Sequence, residues 1–199
     1  MELFLLTLFF GGIWFFNRRE QLLRIHLLAS ILGQFQVEKL METVADGYLR
    51  ALGEKDPERA QQVWNMLDQA EVNLSGQIHA FVDAVAELDA AQTRFSTLPL
   101  ALPYAVQLFP SATADLRSVL RIHCDGVEHM VRNVSGLSQR DKAFMLTAEL
   151  LLLQHTCHWF CRSKAIAGAR MMAKHQTPHK QLVASVSAAT REAYLKALG

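Results

Sequence analysis

Apolar residues recur at the spacing of a helix along most of this chain. Between Val37 and Leu52 they occupy positions i, i+3, i+4 and i+7 and continue in the same register, which places them on one face of a helix. Gly53 follows directly and is a natural residue for a helix C-terminus. The pattern therefore predicts an amphipathic helix that ends at this glycine.

A longer apolar seam follows after a short polar break. Asp56 and Pro57 predict the start of the next helix, because aspartate caps a helix N-terminus and proline suits the first helical position. Apolar residues then keep a spacing of three or four from Ala60 to Phe95, which predicts one long helix that ends near Ser96. A seam of this length is typical of a helix that packs in a bundle.

The second half of the chain predicts further helices. One covers roughly 112–134, and another covers roughly 139–175, where Ser138 and Asp141 resemble a capping box. A last helix follows Pro178 and breaks near residue 187. Strand-like alternation is not convincing at any point of the sequence, so the fold class predicted is all-α, a helical bundle of five to seven helices with an N-terminal hydrophobic anchor helix. The predicted division is an anchor and juxtamembrane helix at 1–35 and a bundle domain at 36–199.

The N-terminal segment carries the strongest indication of where the protein works. Residues Leu3 to Phe16 hold no charge, and Arg18 and Arg19 follow immediately. Such an order predicts a single-pass membrane anchor, although fourteen residues are fewer than the roughly 20 that usually span a bilayer. Trp14 stands where an aromatic belt lies, and these arginines together with Arg24 would hold the cytoplasmic end.

The positive-inside rule then predicts that residues 18–199 lie in the cytoplasm. Because the sequence looks bacterial in style, the expected location is a bacterial inner membrane. A cleaved secretory signal is the less favoured interpretation, because its basic region would precede the apolar run. A second alternative is a helix that is buried or docked to a partner within an assembly, since apolar runs of this length often are.

A second uncharged segment lies at residues 96–114 and contains Pro99, Pro103 and Pro110, which preclude a long regular helix. Such a segment usually packs over the core, and the alternative is an exposed patch that contacts membrane or a partner. The residues that would form the patch are Leu98, Leu100, Leu102, Tyr104, Leu108 and Phe109.

Composition and charge narrow the classes of partner. The chain is 51% hydrophobic, 20% charged and has a net charge of +1, which is typical of a globular protein. No acidic residue occurs from 150 to 191, a stretch that includes Arg162, Lys164 and Arg170. This stretch is either a solvated helix face or a surface for anionic lipid or an acidic partner. Nucleic acid is not favoured, because the basic stretch lacks interleaved aromatic residues and any known motif.

The densest group of reactive side chains lies within one predicted helix and comprises His155, Cys157, His158 and Cys161. Thiolate and imidazole groups suit zinc or copper, and His123 or His129 could complete a site for metal or haem. The favoured interpretation is a buried helix face, because no CxxC, CxxCH or HExxH motif is present and free cysteine is commonly a small buried hydrophobe. The three cysteines are expected to be reduced thiols.

These patterns favour a non-enzymatic function. The leading hypothesis is a membrane-anchored adaptor, assembly factor or accessory subunit that docks to the membrane surface and to a protein partner or a second copy of itself. The alternative is a metal- or haem-binding helical protein that uses the His/Cys group. A lipid- or isoprenoid-handling enzyme ranks last, because the sequence has no paired-carboxylate motif.

Overall fold

Helices form most of the computed structural model of this chain, which describes residues 1–2 and 4–199. Leu3, the first residue of the predicted apolar run, lies outside the described residues. The elements in chain order are α1 Glu2–Leu32, α2 Val37–Gly53, α3 Pro57–Ala86, α4 Ala90–Thr93, β1 Arg94–Ser96, α5 Ala105–Leu108, β2 Thr113–Asp115, α6 Leu116–Arg132, α7 Gln139–Cys161, α8 Lys164–His175, α9 His179–Ser185 and α10 Ala188–Leu198.

The all-α bundle is confirmed, but the predicted number of five to seven helices is wrong. Ten helical segments occur in the described residues, and three of them are short, because the chain turns sharply between long helices. Helix α3 packs on both α2 and α6, and α7 packs on α6, α8 and α9. Their facing apolar side chains form one core, in which Phe81, Leu120 and Leu152 are fully buried.

The long helix predicted to reach Phe95 ends at Ala86, and a short two-stranded ribbon follows it. Asp89 caps the four-residue α4 together with Gln92, and the chain then extends as β1. Strand β1 pairs antiparallel with β2, so that Phe95 lies opposite Ala114. The expectation of no strand is therefore wrong here, where the two strands join the ends of residues 97–112, which we call the proline-rich loop.

The helix predicted over 139–175 is two helices. The backbone leaves helical geometry at Arg162, with φ −132° and ψ −90°, and Ser163 then caps α8 by accepting a hydrogen bond from the Ile166 amide at 3.2 Å. Other local signals are confirmed: Asp56 caps α3, Ser138 caps α7 and Ser187 caps α10.

Helix α1 is present, and its second half packs on the body through buried Leu28 and Ile31. The prediction of a single-pass anchor is not supported. Within residues 1–2 and 4–199, no helix is both long and apolar enough to cross a membrane. The physical reason is that Arg18, Arg19 and Glu20 interrupt the apolar run after only about four helical turns.

Candidate functional site

The first half of α1 exposes apolar side chains on every side. Phe9 is 62% exposed and Trp14 is 63% exposed. The remaining large exposed side chains of this segment are Phe4, Leu5, Leu6, Leu8, Phe10, Phe15 and Phe16. Because apolar residues occupy all faces, this segment has no polar side to turn toward water.

The proline-rich loop lies against this helix and extends the same apolar region. The rings of Phe16 and Tyr104 lie with their centroids 6.0 Å apart. Asn17 donates its side-chain amide to the Ala101 carbonyl at 3.3 Å, and the Tyr104 amide donates to the Glu20 carboxylate at 3.3 Å. The structure thus joins two apolar segments that are far apart in sequence. We call the joined region the apolar surface, formed by residues 4–16 with Leu100, Leu102, Tyr104, Leu108 and Phe109.

Two hydrogen bonds hold the backbone at the start of the proline-rich loop on the body, and the apolar side chains of the loop remain exposed. The indole of Trp159 donates to the Ser96 carbonyl at 3.1 Å, and the Ala165 amide donates to the Pro99 carbonyl at 3.0 Å. Tyr104 adopts a left-handed conformation, φ 57°, which turns the chain into the short helix α5. Of the predicted patch residues, Leu98 is only partly exposed and lies beside the small gap between loop and helix.

The arginines of α1 have different environments. Arg18 and Arg19 are exposed at the edge of the apolar surface, and the Arg18 guanidinium lies 5.7 Å from the Trp14 ring centroid. Arg24 instead pairs with Glu20 at 2.7 Å and lies 5.7 Å from the Phe160 ring, and burial lowers its pKa. Arg24 therefore ties α1 to α7.

The predicted basic stretch is divided among three locations. Arg162 donates to the Gln21 side chain at 2.9 Å and so belongs to the junction between α7 and α1. The Lys164 ammonium lies 4.8 Å from the Trp159 ring centroid, and Arg170 is exposed beside a cleft on another part of the body. The structure does not gather these three cations into one face.

The four predicted metal ligands on α7 also have separate environments. His155 is fully buried and stacks on His179, while burial raises the pKa of Cys157 to about 12 and that of Cys161 to about 11. His158 lines the cleft, and burial and the nearby Arg170 lower its pKa. Among the side chains that the structure describes, no three His, Cys, Asp or Glu residues form a group that could hold a metal. Binding of zinc, copper or haem stays a prediction, which elemental analysis and a visible spectrum of the purified protein would test.

A cluster of two buried histidines and one half-buried histidine instead joins α6, α7, α9 and α10. The His155 and His179 rings stack with centroids 4.3 Å apart, and His179 is hydrogen-bonded to the Tyr194 hydroxyl at 3.2 Å. His123 is hydrogen-bonded to the Thr156 hydroxyl at 2.8 Å. We call these three histidines with Tyr194 the histidine cluster. Sequence reasoning named His123 and His155 as metal ligands but missed His179 and Tyr194, which lie on separate short helices and carry no local signal.

Burial sets the protonation of this cluster. It lowers the pKa of His123 and of His155 to about 3, and that of His179 to about 4. Both ring nitrogens of His155 lack a hydrogen-bond partner in the structure. The rings are therefore neutral at ordinary pH, and their arrangement is one of packing between helices.

Two buried carboxylates stabilise the body elsewhere. Glu71 accepts a hydrogen bond from the Tyr48 hydroxyl at 2.6 Å and pairs with the Lys142 ammonium at 2.5 Å. Glu149 accepts from the Ser187 amide at 3.0 Å, and burial raises its pKa. Glu71 thereby joins α3 to α2 and α7, and Glu149 joins α7 to the N-terminus of α10.

Comparison of this chain with protein-family models, with curated proteins and with solved structures finds no match in any of the three.

Proposed function

We propose that this protein is a membrane-associated helical adaptor or accessory subunit. The apolar surface inserts into a lipid layer, and the helical body docks a partner protein beside the membrane. The observation that carries the proposal is the exposure of apolar side chains around the full circumference of α1 from Phe4 to Phe16, continued by the loop. Such a segment is stable only where an apolar medium surrounds it, because the transfer of each large apolar side chain out of water is favourable by about 1.5–3 kcal/mol.

The length of the exposed segment favours immersion in one leaflet. Residues 4–16 rise about 20 Å along a helix, whereas one leaflet of a roughly 30 Å hydrocarbon core is about 15 Å deep. The helix can therefore enter at a tilt and end within the bilayer. A helix that lies flat on the surface would leave half of these side chains in water, because it has no polar face.

The rim of the apolar surface suits the headgroup region. Trp14 and Tyr104 are aromatic residues with a polar group, which concentrate at membrane interfaces. Arg18 and Arg19 are exposed at the same rim and would meet anionic phosphates, each contributing about 1 kcal/mol. By the positive-inside rule this arrangement favours the cytoplasmic side of the membrane.

Vesicle flotation tests the proposal. Full-length protein is mixed with phosphatidylcholine vesicles that either contain or lack phosphatidylglycerol. The double variant Phe9→Asp with Phe10→Asp should lose at least about tenfold in vesicle binding, because it places charge in the hydrocarbon. Val134→Asp with Phe144→Asp is the control matched in charge, since these side chains are 75% and 64% exposed and lie outside the apolar surface.

Two results would overturn the membrane assignment. Equal flotation of the double variant and the control would show that α1 does not enter lipid. A double variant that dissociates an oligomer without changing flotation would show that the exposed helix packs against other protein helices instead. Circular dichroism of both variants establishes that the body remains folded.

A further inference from the structure

A cleft of about 780 Å³ lies between α2, α7 and α8, apart from the apolar surface. Helix α7 contacts both other helices and forms the floor. We call this site the charged cleft, because its acidic side chains all come from α2 and its basic side chains all come from α7 and α8. The acids are Glu38, Glu42 and Asp46, the bases are His158, Arg170, Lys174 and His175, and the apolar floor, to which α2 and α8 also contribute, includes Met41, Leu150, Leu151 and Met171.

The charges of the cleft are not used within the fold. Among the described residues, Glu38, Glu42, Asp46, Arg170 and Lys174 form no ion pair within 4 Å, and all five are exposed. Other charged side chains of the body do form ion pairs. The cleft therefore offers an acidic side and a basic side with an apolar base between them.

The distribution of these charges indicates an elongated occupant. The three acids stand four residues apart on α2 and so extend over about 12 Å along one helix face. A small-molecule site instead converges a few polar groups on one point. An amphipathic helix carries an apolar stripe with charged flanks, and it can lie in a groove between two helices on the floor of a third.

We propose that the charged cleft binds an amphipathic helix from a partner protein. The apolar stripe of that helix packs on the floor, a basic flank faces α2, and an acidic flank faces α8. Charge complementarity on both sides fixes how the helix is rotated about its own axis. The proposal does not depend on membrane insertion by α1.

Three synthetic helical peptides test this proposal. All share one leucine stripe and one length, and they differ only in their flanks: lysine on one flank with glutamate on the other, lysine on both, or glutamate on both. Binding to the full-length protein is measured by fluorescence anisotropy of labelled peptide. The mixed peptide should bind about tenfold more tightly than either uniform peptide, because several exposed ion pairs of modest strength add together.

A charge reversal in the protein should change this preference. Arg170→Glu with Lys174→Glu makes both sides of the cleft acidic, so the peptide with two lysine flanks should become the tightest binder. Lys180→Glu with Lys196→Glu makes the same change in net charge at exposed positions of α9 and α10, and should leave the preference unchanged.

Equal binding of all three peptides would overturn the proposal, as would the same switch in the control variant. Self-association of the wild-type protein that is abolished by Arg170→Glu with Lys174→Glu would also overturn it, because the occupant would then be a second copy. Circular dichroism of each variant confirms that the helical body is folded before binding is compared.

Discussion

Acid should destabilise this protein through its buried histidines, and His155 allows the effect to be measured alone. A histidine whose pKa is lower in the folded state than in the unfolded state binds fewer protons when folded. His155 therefore costs no stability above its unfolded pKa of 6.5. The free energy of unfolding decreases as the pH falls below that value, and the decrease stops near the folded pKa of about 3. His123 follows the same course, and His179 acts in the same direction.

The size of the effect follows from these pKa values. Between about pH 7.5 and about pH 5 an unfolded histidine takes up nearly a full proton, while folded His155 takes up almost none. The resulting loss in the free energy of unfolding is about 2 kcal/mol for each such histidine. Glu149 acts in the opposite direction, because its raised pKa lets the folded state bind a proton first. A comparison between two proteins that both contain Glu149 cancels its contribution.

The perturbation is His155→Leu. The ring nitrogens of His155 have no hydrogen-bond partner, so the variant at about pH 7.5 should stay within about 1 kcal/mol of the wild type. At about pH 5 the variant should be about 2 kcal/mol more stable than the wild type. Urea unfolding of full-length protein, followed by far-UV circular dichroism in a mild non-ionic detergent, measures both differences.

His26→Leu is the control, because His26 is exposed on α1 and its loss should leave the acid sensitivity of the wild type unchanged. The reasoning is refuted if His155→Leu loses stability with falling pH as steeply as the wild type. That result would mean that the His155 ring is protonated in the folded protein.

Three further substitutions test the packing of the body by thermal or urea unfolding. A Cβ atom on Gly126 would lie 2.7 Å from the Glu149 carboxylate, so Gly126→Ala should lower the free energy of unfolding by about 1–3 kcal/mol; Gly76→Ala, where a Cβ meets nothing within 4 Å, should instead raise it by about 0.5–1 kcal/mol. Lys142→Met leaves the Glu71 carboxylate buried without its cation and should cost about 3–5 kcal/mol. A loss below about 1 kcal/mol would show that water or a second cation reaches Glu71.

The helices and several of their ends could be predicted from the sequence because their signals are local. Asp56, Ser138 and Ser187 each cap a helix within three residues of themselves. The end of α3 could not be predicted in this way. Phe95 continues the apolar spacing of α3, yet it reaches the core from an extended strand, where it is 1% exposed. An apolar residue at this position indicates that its side chain is buried, and both a helix and a strand can bury it.

The segments that form the candidate site could be predicted from the sequence, but the contacts between those segments could not. The apolar segments of α1 and of the proline-rich loop are evident in the sequence, but the contact between Phe16 and Tyr104 depends on tertiary packing. His155 stands beside Cys157 and His158 along the chain, whereas its ring stacks on His179 from α9. Neighbours along a helix point in different directions, so proximity along the chain does not show which side chains contact this ring.

Helix α1 runs without a break from its exposed half into the half that packs on the body. If the exposed half is embedded in lipid, the embedded segment and the bundle move as one rigid unit, because no break in the helix separates them. The rotation of α1 about its own axis in the bilayer then decides which side of the bundle faces the membrane. Each residue added or removed between Phe16 and Leu28 would swing the charged cleft by about 100° around the helix axis, because an α-helix has 3.6 residues per turn.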